Sequence, residues 1–173
     1  MASRQKFSLT RNIPYDIIWK TNREVSNMIT EYEFRIRYGG LTLIPKRKYC
    51  IIKDVNTIDD IANFLVGEYQ LYGAAYIMNF VFAYKDNKIV GFMQTGIGDN
   101  KEPGQALNTV FKFLLLANAE DVVMARNGRL NENDRRLHEQ IIQIAKVLNI
   151  GIKGNLIVQD YDKYYDLNNE RRA

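Results

Sequence analysis

The sequence has little of what metal and nucleophile chemistry uses, with one cysteine, Cys50, and one histidine, His138, in 173 residues. Zinc fingers and histidine-rich hydrolase centres are excluded, and any metal site would have to be dominated by carboxylates. A lone cysteine forms no internal disulfide, and within Tyr49-Cys50-Ile51-Ile52 it reads as a buried, inert thiol suited to a reducing cytoplasm. Ser8, Thr10 and Thr21 have no partner pattern for nucleophilic catalysis, and the single histidine leaves no Ser-His arrangement. Gly96-Ile97-Gly98-Asp99 lacks the third glycine and the strand-to-helix context of a phosphate loop, so it reads as a turn. No apolar run approaches the roughly 20 residues that a membrane span needs. The start, Met1-Ala2-Ser3-Arg4-Gln5-Lys6, leads into no signal-like stretch, so the expectation is a soluble, unexported chain without a membrane partner. There is no internal repeat and no low-complexity segment.

What is present is an ordinary apolar content with an uneven charge. With 46% hydrophobic residues in 20.1 kDa, the chain can bury one core, which implies one domain and an arm. The net charge of +4 divides unequally, since residues 1–53 carry 11 Lys and Arg against 4 acids and the remainder carries 13 against 16. A basic third on a mildly acidic body suits an anionic partner, either nucleic acid or an acidic protein face, and also suits a solvated surface that serves solubility. The cations expected to meet such a partner are Arg4, Lys6 and Arg11 of the arm and Lys46, Arg47 and Lys48 beside Tyr49.

Hydrophobic periodicity divides the chain further. Residues 1–29 are polar, with apolar islands at Ile13-Pro14-Tyr15 and Ile17-Ile18-Trp19, and read as a basic N-terminal arm. Tyr32, Phe34, Ile36 and Tyr38 alternate with Glu33, Arg35 and Arg37, which predicts a half-buried strand closed by Gly39-Gly40. A turn at Pro45-Lys46-Arg47-Lys48 and a short strand over 49–52 follow, and a helix opens at Asn56 or Thr57 with two acids in its first turn. Residues 77–84 and 88–95 predict a hairpin about Lys85-Asp86-Asn87. A helix over 104–118 is apolar on most faces from Val110 onward, which predicts that it is wrapped by the core. A buried strand over 121–125 precedes a helix over 133–148, capped by Asn131, with the stripe Leu137, Ile141, Ala145 and Leu148. Strands over 150–159 and 164–167 complete the pattern, with Tyr161, Tyr164 and Tyr165 available to stack on bases or to anchor an interface. The expectation is an α/β (α+β) fold in which a mixed sheet of five or six strands lies between the 104–118 and 133–148 helices, with 31–38 and 164–167 as edge strands that could support a homodimer.

Several segments occur in an order that resembles one family. They are Phe80-Val81-Phe82-Ala83-Tyr84, Leu115-Leu116-Ala117-Asn118-Ala119, Val122-Val123-Met124-Ala125-Arg126-Asn127, Asn133-Asp134-Arg135-Arg136-Leu137 and Leu156-Ile157-Val158 with Tyr164-Tyr165. Together they resemble the RadC-like branch of the JAB/MPN metalloprotease-like superfamily, most closely over 75–167 within a domain at 30–168 that leaves a tail at 169–173. The resemblance implies a zinc centre with a His-x-His at the end of the core strand, an Asp opening the next helix and a Glu on an earlier strand. In this chain those slots fall on Arg126, Gly128 and the vicinity of Met78, and only Asp134 matches a ligand. Guanidinium has no free lone pair and glycine no side chain, and one carboxylate cannot hold a catalytic metal that needs about three protein ligands. No metal and no cofactor are therefore expected, and a solitary His138 one turn beyond Asp134 reads as solvated.

Asp134 then reads as a capping residue or as the partner of Arg126 or Arg129. Arg126, Asn127, Arg129, Asp134 and Arg135 gather at the vacated cleft, where guanidinium groups could receive a carboxylate or phosphate in two-point fashion. Three functional readings remain open. One is a catalytically inactive RadC-like fold that binds a protein. Another is a nucleic-acid-binding accessory protein of DNA repair or replication, and the third is a metal-dependent hydrolase with a displaced site. Since RadC-like proteins are carried by phages and other mobile elements, the resemblance also implies an inhibitor of host defence, such as an anti-CRISPR.

Overall fold

The computed structural model describes residues 27–51, 55, 57–97, 103–161, 163–169 and 171–172. Nearly all of the expected arm, with Arg4, Lys6 and Arg11, lies outside the described residues. In chain order the elements are β1 (Asn27–Arg37), β2 (Gly40–Ile51), α1 (Ile58–Tyr69), β3 (Met78–Lys85), β4 (Lys88–Ile97), α2 (Pro103–Leu116), β5 (Asp121–Asn127), α3 (Glu132–Leu148), β6 (Gly151–Asp160), β7 (Lys163–Asp166) and β8 (Arg171–Arg172). The strands form one mixed eight-stranded sheet in the order β2-β1-β4-β3-β5-β6-β7-β8.

Local chemistry explains the joints. The hairpins β1–β2 and β3–β4 turn on Tyr38-Gly39, with φ of 51° and 78°, and on Asp86-Asn87, with φ of 50° and 59°. Two left-handed residues are what a two-residue hairpin turn of matching twist demands. Both α1 and α3 begin with reciprocal caps. Thr57 Oγ1 accepts the Asp60 N–H at 3.1 Å while the Asp60 carboxylate accepts the Thr57 N–H at 3.0 Å. Asn131 and Asp134 repeat the arrangement at 3.1 and 2.7 Å.

The helices distribute over the two faces according to the handedness of crossovers. β4 and β5 are each antiparallel to β3, and β5 is parallel to β6, so β4, β5 and β6 point the same way. The crossovers β4-α2-β5 and β5-α3-β6 step in one direction across the sheet, and right-handed connection puts both helices on one face. The crossover β2-α1-β3 steps in that direction between two parallel strands that run opposite to β4, β5 and β6, so α1 falls on the other face. The cores agree. Ile61, Phe64 and Leu65 of α1 pack with Phe80, Phe82 and Phe92, whereas Leu107, Val110 and Phe113 of α2 and Ile141 and Ala145 of α3 pack with Val81, Ala83 and Met124. The expected placement of α2 and α3 on opposite faces is thus corrected. So is the all-round burial of α2, because Leu115 and Leu116 are exposed.

Other expectations change at the sheet's margins. Pro45-Lys46-Arg47-Lys48 is not a turn but part of β2, an edge strand, where the missing proline N–H disturbs no ladder. Glu31 pairs with Arg47 and Tyr32 with Pro45, so Lys46 is the extra residue of a bulge. β1 and β7 are interior strands rather than edges, and Arg171–Arg172 of the expected tail adds β8 against β7. Cys50 is exposed, not buried. Among the described residues, no helix is long and apolar enough to cross a membrane.

Candidate binding site

The five residues assigned to the vacated cleft meet where β5 leaves the sheet and α3 begins. Arg126 Nε donates to Asp134 Oδ1 at 2.8 Å, its Nη1 donates to the Asn127 carbonyl at 2.6 Å, and its Nη2 donates to the Arg129 carbonyl at 2.9 Å and also to Asp134 Oδ2. The two side chains are only 12% and 10% exposed. Gly128 permits this fold-back. Its φ is +104°, and a Cβ there would lie 3.1 Å from Arg126 Nη1.

This geometry corrects the reading of Arg126 as a receptor for an external anion, because its fork is occupied by Asp134 and two carbonyls. Asn127 is buried as well. Its Oδ1 accepts the Met78 N–H at 2.7 Å and its Nδ2 donates to the Tyr76 carbonyl at 3.1 Å, so it fixes the entry to β3 and is not presented to a partner. Arg129 and Arg135 face solvent, and Arg136 pairs with Glu132 at 2.8 Å. A zinc ion does not fit here, since Met78 is a core side chain and Arg126 already fills the strand end with positive charge. Among the described residues, no three His, Cys, Asp or Glu side chains gather as a metal site.

Beneath the ion pair lies a cavity of about 60 Å³ lined by Asn79, Thr95, Leu107, Met124, Leu137 and Ile141 among others. Asn79 Nδ2 is buried and has no hydrogen-bond partner in the protein. By the same measure a water needs roughly 10–15 Å³, so the cavity has room for one beside Asn79. His138, expected to be solvated, is buried one turn further along α3, where Asn155 Nδ2 lies 3.1 Å from its Nδ1. Burial lowers the His138 pKa, against the pull of Asp166 and Glu139. Sequence position gave little sign of this, because Asn155 sits on β6 and approaches only after α3 has packed.

The basic loop of the sequence reading lies elsewhere, on β2, with β1, β4 and β3 between it and β5. Its three cations are not equivalent. Lys46 Nζ donates to Glu31 Oε1 at 2.6 Å, and Glu31 is 2% exposed although alternation placed it on the polar face. Tyr49 Oη donates to Glu31 Oε2 at 3.1 Å and lies 2.6 Å from Tyr69 Oη. Burial raises the pKa of both tyrosines, so both stay protonated. The signal for this network was Ile29, which shares the Glu31 face and reaches the α1 core. Arg47 lies 4.5 Å over the Tyr49 ring, and Arg47 and Lys48 remain exposed on the strand edge. Of the C-terminal tyrosines, Tyr165 is buried, Tyr164 donates to Asp59 Oδ1 at 2.6 Å, and Tyr161 is exposed against Tyr72. No family model matches the chain, and no curated protein matches it.

Proposed function

We propose that the protein is a non-catalytic binding protein with a degenerate RadC-like JAB/MPN fold, acting by engaging a protein partner. The observation that carries this reading is the closure of the β5 end by Arg126 and Asp134, which puts a guanidinium where hydrolysis would need ligands and a water. A buried pair of this kind is costly to open, about 3–5 kcal/mol when one member is removed, so the end of β5 is a fixed plug. Binding then falls to the surface. The protruding β1–β2 hairpin carries exposed Ile36, Tyr38 and Leu41 beside Arg35 and Arg37, an apolar tip with basic flanks. With the mobile-element association of the resembling family, the partner we favour is a component of a host defence complex such as a CRISPR effector.

A second reading, nucleic-acid binding, is favoured by the exposure of Arg47 and Lys48 on the sheet edge. Affinity capture from host lysate, with and without nuclease, separates the two. A stoichiometric protein complex that survives nuclease supports protein binding. Capture that disappears with nuclease supports the second reading, and the absence of any stoichiometric partner overturns both.

A further inference from the structure

We propose that the cavity beneath Arg126 and Asp134 is a binding site for a small uncharged carboxamide. The site is independent of the protein-binding reading above, and either can fail without the other. It lies at one end of the sheet, where Asn79 near the start of β3 and Thr95 and Arg126 near the ends of β4 and β5 meet Leu107 of α2 and Leu137 of α3.

Size and wall chemistry select the occupant. At about 60 Å³ the cavity has room for roughly four to six water-sized units, each of which, as water, would need two to four polar partners. The walls supply few of them. Val110, Met124, Leu137, Ile141 and Ile157 offer none. Arg126 and Asp134 are committed to each other, to the carbonyls of Asn127 and Arg129 and to the cap of α3, and Asn155 Nδ2 is engaged with His138 Nδ1 at 3.1 Å. Two groups remain. Asn79 Nδ2 is shut off from solvent without a hydrogen-bond partner, and the Thr95 hydroxyl donates to the Asn79 carbonyl at 3.4 Å while its oxygen keeps the capacity to accept.

One donor and one acceptor beside apolar walls suit a single molecule better than a water cluster. A carboxamide fits both, because its carbonyl accepts from Asn79 Nδ2, its N–H donates to Thr95 Oγ1 and a short alkyl body lies against Leu107, Met124 and Ile141. Ions do not fit. An ion would lose its hydration with no counter-charge left in the walls, since Arg126 and Asp134 neutralise each other. Leucine at position 79 would line the same cavity without the cost of an unpaired buried amide, and a bound carbonyl removes that cost.

The test titrates isobutyramide, a carboxamide of matching size, into the whole protein, with isobutyrate as its charged isostere, and follows methyl and side-chain amide resonances. Isobutyramide should shift the Asn79 side-chain amide and the methyl groups of Leu107, Met124 and Ile141 saturably, with a Kd of about 10 mM or tighter. Isobutyrate should bind at least about tenfold more weakly. Asn79→Leu should lower the isobutyramide affinity at least about tenfold while leaving the urea midpoint unchanged or higher. The shifts are read on the unsubstituted protein, so they decide the matter even if the variant folds poorly. Absence of a saturable shift, shifts confined to other regions, equal binding of isobutyrate, or equal binding to Asn79→Leu would overturn the inference. Because residues 1–26 are present in the sample, a cavity filled by water or by the chain itself also reads as no shift and overturns it.

Discussion

Asp134 holds a guanidinium with both oxygens and a helix start with one of them: Oδ1 takes Arg126 Nε at 2.8 Å, and Oδ2 takes Arg126 Nη2 together with the Asn131 main-chain N–H at 2.7 Å. The closure of β5 and the initiation of α3 are therefore a single interaction. Arg126→Met should cost about 3 kcal/mol in urea unfolding, because it leaves a nearly buried carboxylate without its cation. Asp134→Ala should cost more, as it also removes a cap worth about 1 kcal/mol. Arg126→Lys should recover only part, since a point charge cannot make the two-point contact. Losses below about 1 kcal/mol for both Arg126→Met and Asp134→Ala would mean that solvent screens the pair.

Gly91 and Tyr32 should behave as a coupled pair. Gly91→Ala places a methyl group where the ring now lies, at a cost of about 1–3 kcal/mol for an overpacked contact. In the Tyr32→Ala background the same change should cost at least ~0.5 kcal/mol less, read from a double-mutant cycle of denaturation midpoints. Strict additivity would show that β1 and β4 meet by other means.

These two pairs also mark how far the sequence could be read. The Asn131-x-x-Asp134 spacing made the α3 cap legible, and the same carboxylate beside Arg126 made the ion pair one of two readable options. The β1–β2 hairpin was legible in its first strand and, in its second, only over 49–51. Proline and three cations at 45–48 have the composition of a turn, and only edge position and a bulge make them strand. The faces chosen by α2 and α3 follow from strand order, which no local pattern encodes. Buried Glu31 and His138 depend on Lys46, Tyr49 and Asn155, partners brought near by packing of other elements.

His138 makes stability fall in mild acid. Burial lowers its folded pKa below the ordinary value of 6.5, and its neutral Nδ1 faces the Asn155 amide. Above the unfolded pKa the histidine is neutral in both states and its contribution is fully present. As pH falls below 6.5, the unfolded chain takes up the proton first, and stability declines down through the folded pKa. The urea midpoint should drop further between pH 7.5 and about 5.5 in the unsubstituted protein than in His138→Gln. Equal drops would assign the acid sensitivity to other groups.

The cations of β2 should separate by role. Lys46→Glu sets a second carboxylate against the buried Glu31 and should destabilise the fold by at least about 1 kcal/mol. Lys48→Glu, on the exposed edge, should change stability by less than about 0.5 kcal/mol. If nucleic acid is bound, Arg47→Glu with Lys48→Glu should weaken it far more than Lys85→Glu with Lys88→Glu. Log affinity should also fall against log salt with a slope near −0.9 per phosphate contact. Equal losses for the two sets would leave the β2 cations without a role in binding.

The closure of the β5 end by Arg126, and with it the non-catalytic reading, is tested most directly by elemental analysis of the purified protein after zinc loading and dialysis against a weak chelator. The account predicts no stoichiometric zinc and no hydrolysis of isopeptide or phosphodiester substrates by the same sample. About one zinc per chain retained through dialysis, with cleavage that is lost on chelation, would contradict it.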